Sequence, residues 1–247
     1  MEATHERGFF DLVLRNDRRL DEVLRDEAAL PSSLRKLLSL ALLGLMAHGV
    51  AVAAAARLLL ARGASPPDLA WFTAGHPLLL LARGAPPPDL AWFTAGHPLL
   101  WMPLAFAGAF VLALAVCLPS FYFYTQLAGL DASFRLVTTQ ALRTLSSTAV
   151  LLLGVLPFYV AFILAGVVGL VKPETVVGIG VLTPFVVGLF GIATLYRAFK
   201  ELLAVLPLTH ARRGNFLLRM VLAWGAVFTA VAPVALYRLG AALARAL

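Results

Sequence analysis

No aspartate or glutamate falls inside any of the five long apolar stretches of this chain, cysteine occurs once, as Cys117, and charged residues make up only 13% of the sequence. Each shortage excludes something. A single cysteine allows no intrachain disulfide and no Cys-rich metal site. Apolar stretches without carboxylates lack the group that proton relays and cation paths normally use. No HExxH, GxSxG, P-loop or metal-spaced pair of acids is present, so no enzyme, cofactor or metal site is expected. The duplicated His76 and His97 would need a third ligand to hold a metal. The formal charge of +7 raises the question of nucleic acid. No soluble region is large enough to display a basic face, so no nucleic-acid partner is expected.

Apolar sequence is what the chain has in abundance. Hydrophobic residues reach 61% and the mean hydropathy is +0.88, a composition that would leave a soluble domain covered in apolar surface. About 20 apolar residues cross a bilayer core of about 30 Å as a helix. Residues 37–60, 98–122, 149–171, 176–195 and 216–237 meet that length. The expected fold class is all-α: a polytopic membrane bundle of five transmembrane helices. Arginine outnumbers lysine 17 to 3 in a chain rich in Ala and Leu, a bias expected of a GC-rich bacterial genome and hence of a bacterial inner membrane.

Residues 1–36 carry seven Lys/Arg and eight Asp/Glu without a short apolar core. The expectation is a cytoplasmic N-terminal segment and an uncleaved first span, not a signal peptide. Phe9, Phe10, Val13, Leu20, Val23 and Leu24 fall on one side of a helical wheel, opposite Arg15, Arg18, Glu22, Arg25 and Asp26. That pattern predicts an amphipathic helix with a candidate partner or interface face. Pro31-Ser32-Ser33 is expected to end it. The chain then divides into a 1–36 segment and a 37–247 transmembrane domain.

With five spans and the N-terminus inside, fourteen Lys/Arg lie on the cytoplasmic side and six outside. The positive-inside rule therefore places the N-terminus in the cytoplasm and the C-terminus outside. Arg197, Lys200, Arg212, Arg213 and Arg219 become candidate contacts for anionic headgroups on the cytoplasmic side. Thr209 to Asn215 reads as a basic turn. Beyond lipid, a protein partner or a second copy of the chain is the expected class of partner.

Residues 58–79 recur as 79–100 with one difference, Ser65 against Pro86. This 21-residue tandem duplication falls in the outer loop, 61–97. Two copies are too few to stack into a solenoid, so the loop reads as a tolerated insertion with an apolar excursion. At depth, the candidate intramembrane polar groups are His48, near the middle of the first span, and Arg57, one turn before its end. A charged imidazolium is costly there, so His48 is expected to be a neutral ring bonded to a hydroxyl or to a carbonyl that a proline has freed in another span. Pro103, Pro119, Pro157, Pro184 and Pro233 supply such carbonyls. Arg57 can snorkel outward.

Asp131 reads as an N-cap ahead of a polar-faced helix starting at Phe134, and residues 171–175 are so few that the third and fourth spans must form a hairpin. The short amphipathic N-terminal segment, five spans, that tight hairpin, the G-x-D-A-S-F-R stretch at Gly129 to Arg135 and the exit Leu195-Tyr196-Arg197-Ala198-Phe199 resemble bacterial members of the Yip1 superfamily. The D-L-Y-G-P signature of the eukaryotic members is absent, so the resemblance does not extend to a trafficking role. It implies a non-enzymatic integral membrane protein that organises membrane or partner proteins. Two other classes stay open. An N-terminal interfacial helix before a bundle also occurs in ABC-type permeases, which suggests a transporter subunit. The segment ending in Leu34-Arg35-Lys36-Leu37 loosely resembles an actin-binding WH2 module.

Overall fold

The computed structural model describes residues 30–61, 97–127, 133–205 and 212–246. The expected amphipathic helix, with Phe9, Phe10, Val13, Leu20, Val23 and Leu24, and most of the duplicated loop lie outside these residues. The described chain is five helices: α1 Leu30–Leu60, α2 Pro98–Leu127, α3 Phe134–Val167, α4 Pro173–Val205 and α5 Arg212–Ala246. Each is long and apolar enough to cross a membrane. The protein is an all-α, multi-pass bundle.

Every helix is longer than the apolar run that announced it. Length of apolar sequence measures only the part suited to lipid, whereas helix hydrogen bonding continues until a cap or breaker stops it. Pro31-Ser32-Ser33 lies in the first turn of α1, where proline's missing N–H costs nothing, and the helix it was expected to end falls outside the described residues. The boundary drawn at residue 36 thus falls within α1. At α3 the N-cap is Ser133, whose Oγ accepts from the Leu136 N–H at 3.3 Å, and not Asp131, which is outside the described residues. Arg212 to Asn215 are helical, the opening turn of α5, where a basic turn was expected.

The α3–α4 hairpin is closed by a Schellman cap. Gly169 takes φ +84°, its N–H donates to Gly166 and the Leu170 N–H donates to Ala165. A side chain is disfavoured at that φ, which is why glycine stands there. Pro173 then opens α4.

Around the bundle the order is α1, α2, α5, α4, α3 and back to α1, the α4–α5 seam being the loosest of the five. The tightest approaches of a glycine to another helix's backbone involve α1. A Cβ on Gly44 would come within 2.6 Å of the Ala149 carbonyl oxygen of α3, and one on Gly49 within 2.7 Å of Pro103 Cα of α2. Small residues that let backbones meet are the usual basis of helix association in lipid, where no hydrophobic force draws helices together. Close approach also occurs in the α3–α4 hairpin. There it holds for Gly180 and Gly191 against α3, but Gly188 faces open space. Large apolar side chains such as Leu43, Leu112, Phe158, Phe190 and Leu222 are exposed on all five helices, as a lipid-facing surface requires.

Candidate functional site: polar groups inside the bundle

His48 is 1% exposed, in the middle of α1. Its Nε2 lies 2.7 Å from the carbonyl oxygen of Gly180 in α4. A carbonyl only accepts, so Nε2 carries the hydrogen and donates it. The reason this carbonyl is available lies four residues further on. In a helix the Gly180 carbonyl would accept from the N–H of residue 184, but that residue is Pro184, which has none. The imidazole of one span replaces the missing donor of another, as the sequence predicted in kind. Tyr159 of α3 completes the cluster. Its hydroxyl donates to the Val176 carbonyl at 3.2 Å, and its ring lies 5.6 Å from that of His48. Phe106 of α2 meets the imidazole edge-on at 5.7 Å. Four helices are thus joined at one polar point. Arg57 stands exposed in the last turn of α1, where its charge opposes the negative helix end.

The second polar region was only half legible. Hydropathy started the third apolar span at Ala149 and left Arg143 outside it, on the polar-faced helix expected from Phe134. In the structure α3 begins at Phe134, and Thr139, Gln140, Arg143, Thr144, Ser146, Ser147 and Thr148 are all buried inside the bundle. Most of these hydroxyls turn back on their own helix, Thr139 donating to Arg135, Thr144 to Gln140 and Thr148 to Thr144 at 2.8–3.0 Å. Ser146 shares its proton between Leu142 of α3, at 2.8 Å, and Leu37 of α1, at 2.7 Å. Gln140 Oε1 and Ser147 Oγ are buried without a protein partner. The helical spacing of 140, 143, 144 and 147 was the available signal. What hid it was the arginine, which by hydropathy alone reads as the end of a span.

Next to this strip, Thr144, Thr148 and Thr229 share a small void with Phe110, Phe185 and Trp224. Its free volume is about 30 Å³, room for very little water and for no solute. Packed against it is an aromatic stack. Trp224 lies 4.9 Å from Phe121 and 5.4 Å from Phe228, and its indole N–H donates to the Cys117 carbonyl of α2 at 3.3 Å. Among the described residues no group of three His, Cys, Asp or Glu is placed to hold a metal. Arg197, Lys200 and Arg219 are exposed at the end of the bundle where α4 finishes and α5 starts, and Arg212 and Arg213 occupy the first turn of α5.

This arrangement defines a class: an integral membrane protein whose described intramembrane polar groups bond largely to backbone. Comparison with protein-family models, with curated proteins and with solved structures returned no match.

Proposed function

We propose that this chain is a non-enzymatic integral membrane protein that organises membrane lipids or partner proteins, in the manner implied by its resemblance to bacterial Yip1-superfamily proteins. The supporting observation is how the polar groups are spent. His48 and Tyr159, the groups best suited to proton handling, are committed to backbone carbonyls of α4. The void at the bundle centre is far smaller than a transport path. In this reading the membrane is a bacterial inner membrane, the N-terminus and the Arg212-Arg213 turn face the cytoplasm, and the C-terminus faces outward. The fourteen-to-six Lys/Arg asymmetry supports that threading.

Reconstitution tests the reading. Liposomes containing the protein are expected to show no proton or solute flux above protein-free vesicles, and His48→Gln to change nothing. Flux that His48→Gln abolishes would replace an organiser with a transporter. For the threading, a cysteine at residue 215 on a Cys117→Ser background should react with an impermeant maleimide only after the membrane is opened. Labelling of intact cells would reverse the topology.

A second reading, a permease-like transporter subunit, draws on Gln140 Oε1 and Ser147 Oγ, buried polar atoms without a protein partner. The same flux assay with Gln140→Leu separates the two, since only a transporter loses flux.

A further inference from the structure

The loose seam between α4 and α5 carries a groove of about 620 Å³, within the roughly 300–1,000 Å³ typical of ligand sites. Leu189, Ala193 and Tyr196 line it from α4, and Leu222, Ala226 and Ala230 from α5. It opens on the lipid-facing surface, where Leu189, Ala193, Leu222 and Ala226 are all exposed. Its span, residues 189–196 on one wall and 221–230 on the other, is about 10–14 Å at 1.5 Å per residue. That matches roughly half of the ~30 Å hydrocarbon core, the depth of one leaflet.

Both walls end in a cation. Lys200 follows Tyr196 by four residues and Arg219 precedes Leu222 by three, so each continues its wall along one helix face. Both side chains are exposed. Because α4 and α5 run in opposite directions, the two cations stand at the same mouth of the groove. Residues 195–220 hold five basic residues against one acid, Glu201. A second copy docking through this face about a two-fold axis along the membrane normal would bring like charges together. A zwitterionic lipid offers the same phosphate together with a cation of its own, so it gains less from Lys200 and Arg219 than an anionic lipid does.

We propose that this groove is a binding site for one anionic phospholipid, with an acyl chain between α4 and α5 and the headgroup phosphate held by Lys200 and Arg219. The inference needs only the membrane-spanning fold and is independent of the organiser reading. A flux result that overturned that reading would leave it intact.

The test uses the full chain in nanodiscs. Phosphatidylglycerol and phosphatidylcholine with identical acyl chains, each bearing a photoactivatable group midway along one chain, are compared by peptide mapping of the inserted label. Wild type is expected to take label on the groove residues from phosphatidylglycerol roughly tenfold more than from phosphatidylcholine. Lys200→Gln with Arg219→Gln should bring the two lipids level, and Ala226→Trp, which fills the groove, should remove groove labelling by both. The lipid comparison on wild type requires no variant to fold. Equal groove labelling by the two lipids, label spread evenly to exposed residues elsewhere such as Leu112 and Phe158, or crosslinks into a second copy of the chain would each overturn the proposal.

Discussion

At the end of the bundle that carries the α3–α4 turn, polar side chains join one helix to another. At the opposite end they mostly turn back on their own helix. The first end interleaves small residues, Ala53, Ala56, Ala105 and Ala109 among them, with Trp101, Phe106 and Tyr159 around His48. The second is built from Phe110, Phe121, Phe199 and Trp224 beside a buried Thr/Ser strip. Where side chains are small, backbones come close and a freed carbonyl can be reached from a neighbouring helix. Where the second end is filled by aromatics, the helices are held largely by shape, and most hydroxyls of the strip bond to the carbonyl four residues back, Ser146 also reaching Leu37 of α1 and Ser147 having no protein partner. Specific interhelical bonding and aromatic packing are two ways to hold helices in a solvent that supplies no hydrophobic force between them.

Substitutions at five positions probe the contrast. The largest effect is expected from Trp224→Ala, which removes the centre of the aromatic stack and leaves a cavity; a loss of about 3 kcal/mol or more should appear as a lower unfolding midpoint in detergent. An unchanged midpoint would mean that this end is not held by aromatic packing. Gly44→Val should follow at roughly 1–3 kcal/mol, because its Cβ meets the backbone and the Cβ of Ala149, neither of which can turn aside. Gly154→Ala, where a Cβ meets nothing within 4 Å, is the matched control and should be near neutral. His48→Leu is expected to cost about 0.6–2 kcal/mol, the range for one interhelical bond in a membrane bundle. His48→Gln, which can still donate, should recover most of it; no recovery would show that ring packing against Phe106 and Tyr159 outweighs the bond. Thr144→Val should have the smallest effect, within about 0.5 kcal/mol, since the lost bond goes to its own helix and the shape is kept. A larger loss there would erase the distinction between the two ends.

Particular residues show what was legible. Gly180 and Pro184 are four apart, so an orphaned carbonyl at Gly180 could be read from the sequence, and a buried histidine in another span could be expected to want such a partner. Which of the freed carbonyls would meet His48 could not, because all five prolines offered one. Tyr159 showed no signal at all, being one aromatic in an apolar run. Arg143 misled: a cation marks a span's edge when a helix is considered alone, whereas in a bundle its flanking helices can cover it.

Composition and run length by themselves determined that the described residues form five helices long and apolar enough to cross a membrane, because the length and dryness of the hydrocarbon core act on each segment independently. They also determined which carbonyls lack an in-helix donor, since proline removes an N–H wherever it stands in a helix. Tertiary structure alone decided that α1 sits against α2 and α3 through Gly44 and Gly49, that the polar start of α3 is buried, and that α4 and α5 part enough to leave a groove beneath two cations. Those outcomes depend on which faces of five helices meet, and the interactions that select them are short-range contacts between residues far apart in the chain, invisible to any periodicity within one helix.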